Sequence, residues 1–164
     1  MKKLLFLCLF LLSCTPSTPT YPEVDWLSKS PPPAQTQPKS PQTQSLPAHV
    51  QELLTLHNYQ RGLKGRPPLT VKQDLLTYAQ EHANKMAKNN SLKHSNISVI
   101  IKFGYNTAGE NIAWNQDNPE EVTRDWMNSS GHRANILNRN FLYVGFGLSE
   151  NSRGEPYWCT VFGG

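Results

Sequence analysis

The change of composition at about Pro47 limits what this chain can fold into more than any other feature. From Thr15 to about Leu46 the sequence is rich in Pro, Ser, Thr and Gln and nearly empty of aliphatic side chains. Such a segment cannot bury enough apolar surface to offset the entropy of ordering it. The fold is thereby confined to Pro47–Gly164, one domain's worth of sequence with room for a single core. The segment before it reads as an extended, partly polyproline tether. Tyr21-Pro22-Glu23-Val24-Asp25-Trp26-Leu27 is the exception, either a docking element or an ordinary aromatic in a linker.

The start of the chain is an address rather than a structural element. Lys2 and Lys3 precede the apolar run Leu4–Leu12, which is too short for a lasting span of about 20 residues and reads as the core of a secretory signal. The run ends in Leu11-Leu12-Ser13-Cys14, which resembles a bacterial lipobox. That resemblance implies cleavage before Cys14 and lipidation of its thiol, with the acyl chains holding the protein to a membrane. The alternative is an ordinary signal cut nearby and a soluble secreted product. The expected organisation is a signal over residues 1–13, a lipidated Cys14 with its tether over 14–46, and a domain over 47–164. The expected location is a bacterial cell envelope, at the outer membrane in a double-membraned cell, because Thr15 does not look like an inner-membrane retention signal.

Three cysteines then reduce to one. Cys8 leaves with the signal and Cys14 carries lipid, so Cys159 is the only thiol left and no intramolecular disulfide can form. Stability must come from packing. Cys159, in the strand-like Tyr157-Trp158-Cys159-Thr160-Val161-Phe162, reads as a small buried hydrophobe rather than a nucleophile. The formal charge of +4 falls to about +2 for Pro47–Gly164 once Lys2, Lys3 and the balanced tether charges are set aside. Its Lys and Arg are scattered, which excludes an electrostatic footprint for nucleic acid.

Periodicity divides the domain. Val50, Leu53, Leu54 and Leu56-His57 predict a first helix stopping near Gly62. Leu75, Leu76, Ala79, Ala83, Met86 and Ala87 form the apolar stripe of a second, from about Lys72 to Asn89. Asn118-Pro119-Glu120-Glu121 is a helix start, with an N-cap, proline at the first position and acids on the positive dipole end. That helix runs to about Asn128, and a short one follows from Ser130 to near Asn138. Tyr143–Leu148 and Tyr157–Phe162 are aromatic and β-branched, so they predict an antiparallel hairpin. Helices first and a hairpin last predict an α+β fold with helices packed on a small antiparallel sheet.

Three strings carry groups suited to proton or metal chemistry: Leu92-Lys93-His94-Ser95, Gly109-Glu110-Asn111-Ile112-Ala113-Trp114 and Gly131-His132-Arg133-Ala134-Asn135-Ile136-Leu137. Two imidazoles and a carboxylate on separate segments meet only if the fold brings them together. Each has a structural alternative, a buried His-Glu-His network acting as a staple. Ser129 and Ser130 beside His132 read as helix caps before they read as nucleophiles. His57, Asn58 and Arg61 are expected to pack and bond internally, and His82 to flank the core; His49 carries no evident role.

With His57-Asn58-Tyr59-Gln60-Arg61, Trp126-Met127-Asn128-Ser129 and the terminal hairpin added, these strings resemble the CAP superfamily of cysteine-rich secretory, antigen 5 and pathogenesis-related proteins. The resemblance covers nearly all of Pro47–Gly164, and the lack of disulfides looks like the bacterial branch. It implies a three-layer α-β-α sandwich with His94, His132 and Glu110 in a central cleft, Asn111 and Ser129 beside them. Ser129 stands where the family places a second glutamate, which removes a potential general base. It also implies binding of a divalent metal such as zinc through the histidines, since His-His-Glu resembles the donor set of open catalytic sites.

Two functions follow as expectations. The first is a monomeric, non-enzymatic module presenting this cleft to a lipid, small ligand or protein partner. The second is a metal-assisted hydrolase of peptide or envelope material using His94, His132 and Glu110, with Glu110 as the only candidate catalytic residue.

Overall fold

The computed structural model describes residues 45–164; the signal segment, Cys14 and the tether up to residue 44 lie outside the described residues. Leu46, at the expected end of the tether, already packs against the core. Helix α1 (Ala48–Gly62) buries Val50, Leu53, His57 and Arg61, a stripe at three- and four-residue intervals. Helix α2 (Gln73–Asn89) buries Leu75, Ala79, Ala83, Met86 and Ala87. Asn90 closes it in the left-handed conformation (φ 47°), a routine helix ending for asparagine.

The remaining elements are β1 (Thr70–Val71), α3 (Ser98–Ile101), β2 (Ala108–Trp114), α4 (Pro119–Asn128), α5 (Ser130–Ile136), β3 (Tyr143–Glu150) and β4 (Pro156–Gly163). The start of α4 is capped as the sequence predicts, with Asn118 Oδ1 accepting from the Glu121 amide at 2.8 Å. The returning carboxylate reaches one residue further than in the usual capping box, to the Asp117 amide at 2.9 Å.

The sheet runs β1-β3-β4-β2. The predicted hairpin is β3–β4, and β2 joins β4 antiparallel in register Glu110↔Val161 and Ile112↔Cys159. The sheet is not wholly antiparallel: the two-residue β1 pairs with β3 in parallel. Side-chain alternation along β4 then makes the layers. Tyr157, Cys159 and Val161 join the core under α2, while Trp158 and Phe162 join the one under α1, α4 and α5. The result is the expected α-β-α sandwich.

Two local devices hold the layers in place. A Cβ on Gly145 would fall on the Leu75 carbonyl, so α2 lies almost on the backbone of β3. On the other face the wholly buried Arg61 donates to four carbonyls: Pro67 at 2.7 Å, Ile136 at 2.7 Å, Asn138 at 2.8 Å and Phe141 at 2.8 Å. One guanidinium fork thus ties the end of α1 to the end of α5 and the approach to β3.

Candidate functional site

Strand β2 lies at a sheet edge, and its pleat sends neighbouring side chains to opposite layers. Ile112 belongs to the α2 core and Ala113 to the α1 core, so Glu110 shares the α2 side and Asn111 the α5 side. The aliphatic and aromatic end of the strand, Ile112-Ala113-Trp114, anchors it. Its polar start, Gly109-Glu110-Asn111, carries the chemistry.

Glu110 is 3 % exposed at its side chain, yet both carboxylate oxygens have company. Oε1 accepts from His94 Nδ1 at 2.7 Å and from the Ser95 amide at 2.9 Å. Oε2 faces His82 Nε2 at 3.8 Å and the Cys159 thiol at 3.9 Å. A carboxylate that accepts at this distance selects the Nδ1–H tautomer of a neutral His94, in which Nε2 is the bare nitrogen. His94 itself is 62 % exposed. The pair is a buried carboxylate holding a solvent-facing imidazole in one tautomer and one orientation.

His82 is the member that sequence reading places only at the core edge. Its Nε2–H donates to the Lys93 carbonyl at 2.8 Å, which pins the segment bearing His94 against α2. The signal was present as a polar row, Tyr78, His82 and Lys85, beside the apolar stripe of α2. Cys159 is fully buried, and burial followed by the Glu110 charge pushes its thiol well above the usual range. That environment is the opposite of what a nucleophilic cysteine needs.

His132 approaches from α5, on the opposite layer. Asn111 Nδ2 donates to the His132 carbonyl at 3.1 Å. Asn135 Nδ2 donates to Asn111 Oδ1 at 2.8 Å and to the Glu110 carbonyl at 3.2 Å. A pair of asparagines therefore clamps α5 to β2 and fixes His132 relative to Glu110. The clamp needs Gly109, where a Cβ would stand 2.8 Å from the Phe141 ring and 3.1 Å from Asn135 Oδ1. Burial, and then the proximity of His94, hold the His132 imidazole below its ordinary pKa. Ser129, half-buried, sits at the joint between α4 and α5 and makes no side-chain cap bond there.

His57 is structural. His57 is wholly buried, edge-on to Trp126 and Phe146, and neither ring nitrogen makes a well-formed hydrogen bond, although the Leu53 carbonyl lies near. Asn58 binds both the amide and the carbonyl of Leu69.

Metal chemistry requires a donor set, and Glu110 is not free to join one. Its Oε1 is saturated by His94 and Ser95, and its position is behind His94 rather than beside Nε2. Among the described residues no group of three or more His, Cys, Asp and Glu side chains is arranged to hold a metal ion. The residues present do not fit a three-donor zinc centre.

The three-layer α-β-α sandwich places the chain among SCP-like domains. Residues 54–162 match the CAP family, described as the cysteine-rich secretory protein family, and the chain belongs to it. It is 38% identical over 126 residues to the uncharacterized protein YkwD of Bacillus subtilis (strain 168), covering 72% of this chain and 48% of that protein. The chain thus spans about half the length of that curated relative. Among solved structures, an extracellular SCP-domain protein from Bacillus anthracis superimposes with a TM-score of 0.59 at 27% identity, over 70% of this chain and 40% of that one. An outer surface protein from Borrelia burgdorferi gives a TM-score of 0.64 at 20% identity, over 69% of this chain and 90% of that one, and shares the fold.

Proposed function

We infer that this chain is an exported, envelope-anchored CAP-domain protein acting as a non-enzymatic binding module, with His94, Glu110 and His132 as its ligand-contacting cleft. The observation that carries the reading is the state of Glu110. The one carboxylate of the site is buried, with Oε1 accepting two hydrogen bonds and Oε2 facing His82 and the Cys159 thiol. It is poorly placed to take a proton from a substrate. It is well placed to keep His94 Nε2 as a fixed, exposed hydrogen-bond acceptor. Export is supported by the charged, apolar leader before Cys14 and by the extracellular description of the Bacillus anthracis relative.

Incubation, in detergent, with membrane-free insoluble bacterial envelope material tests this reading. The full chain is expected to co-sediment with that material and to release no soluble fragments, and His94→Ala/His132→Ala is expected to stay in the supernatant. Release of soluble peptide or sugar fragments by the wild type, abolished in His94→Ala, would replace the binding module with the hydrolase. Co-sedimentation indifferent to both histidines would move the contact off the cleft.

A further inference from the structure

Beside the cleft lies a groove of about 450 Å³ that the family resemblance does not assign. One wall is a face of α2, presenting Tyr78, Glu81, His82, Lys85 and Asn89. The other is the segment 91–96, which runs back along the helix and carries Lys93 and His94. Three bonds hold the walls apart without filling the space. Tyr78 Oη donates to the Asn96 carbonyl at 3.0 Å, His82 Nε2 to the Lys93 carbonyl at 2.8 Å, and the Ser95 amide to Glu110 at 2.9 Å. The groove is therefore preformed, and His94 is part of its lining.

Its size is that of an ordinary small-molecule site, and polar and apolar surface share its lining about equally. Glu81, Lys85, Asn89, Lys93, His94 and Asn96 are all exposed along it. They bring donors and acceptors together: ammonium groups at Lys85 and Lys93, a carboxylate at Glu81, amides at Asn89 and Asn96, and the imidazole of His94. A lipid tail would leave these groups unpaired, at a cost for every one desolvated. A simple anion would meet Glu81, and a simple cation would meet both lysines. The lining suits a neutral ligand offering a donor and an acceptor at nearly every position, as a sugar ring does.

We propose that this groove is a saccharide subsite, taking a short stretch of a hydroxyl- and acetamido-bearing oligosaccharide that reaches His94. This rests on the binding-module reading of the cleft and gives its ligand a chemical class. Lys85, Asn89 and Lys93 supply donors to hydroxyl and acetamido oxygens, and Glu81 accepts from hydroxyls. His94 Nε2, the bare nitrogen of the Nδ1–H tautomer, accepts from a sugar hydroxyl.

Titration calorimetry of the purified full chain with chitotetraose and, separately, maltotetraose tests the proposal, beside Lys85→Ala/Asn89→Ala. Both substituted side chains are exposed on α2, and circular dichroism would verify that the variant folds. Saturable binding of either sugar is expected, weakened by about tenfold or more in the double variant. No heat with either sugar at millimolar concentration overturns the saccharide assignment, as does an affinity unchanged in the variant. Binding of trialanine in place of both sugars reassigns the groove to peptide. If the sugars fail while envelope co-sedimentation still depends on His94 and His132, only this inference falls. If sugar binding holds while co-sedimentation ignores the histidines, the cleft reading falls instead.

Discussion

His57 stands inside the core between Trp126 and Phe146, where a second proton on its ring would have no water to meet. Burial, reinforced by the Arg61 charge, holds its pKa down to about 3 against an ordinary 6.5. The unfolded chain therefore binds a proton at a higher pH than the folded one, and acid favours unfolding. The loss begins as pH falls through 6.5 and continues to about 3. At 1.36 kcal/mol per pH unit, it amounts to about 2 kcal/mol by pH 5. His132, depressed for the same first reason, adds a loss of the same sign. Urea midpoints at pH 7.5 and pH 5 should fall in the wild type, and His57→Phe should fall less over that interval. An equal fall in both would remove His57 from the acid response.

At the scale of elements, the closeness of α2 and β3 is the strictest geometric demand in the fold. Gly145→Ala would drive a methyl into the Leu75 carbonyl, and backbone cannot move aside as a flexible side chain can. A loss of about 3 kcal/mol is expected. Gly62→Ala, at the end of α1 with nothing within 4 Å of the new methyl, is its control and should change stability little. Thermal melts of the two variants decide it: a Gly145→Ala midpoint matching Gly62→Ala would mean that α2 can be lifted off the sheet. Sequence periodicity gives α1, α2, α4 and the β3–β4 hairpin because each has one continuous apolar face. It does not give β1 or α3, whose two and four residues are too few for any period. Nor does it give β2, because Glu110 and Asn111 sit where alternation would be read, at an edge where each meets polar partners. Family motifs single out His94, Glu110 and His132. The role of His82 depends on how the loop 91–96 returns along α2, which local sequence does not encode.

Over the whole molecule, a domain whose described residues hold Cys159 as their one cysteine must keep its fold without an internal cross-link. Cys159 is free and fully buried, so it cannot contribute a cross-link while the domain is folded. What localises such a domain is then a separate matter, for which the lipobox-like Leu11-Leu12-Ser13-Cys14 is the candidate. If Ser13-Cys14 ends a lipoprotein signal, the only link between the domain and the membrane is the acylated Cys14, with residues 15–46 as its leash. The cleft residues and the groove along α2 would take no part in anchoring. Cys14→Ser should therefore move the protein from the membrane fraction to the soluble exported fraction, and leave its melting temperature and envelope co-sedimentation unchanged. Metabolic labelling with a palmitate analogue should mark the wild type and not the variant. An unlabelled wild type found wholly in the soluble fraction would identify the leader as an ordinary signal peptide. A Cys14→Ser variant that stays membrane-bound would show that the folded domain itself holds the surface.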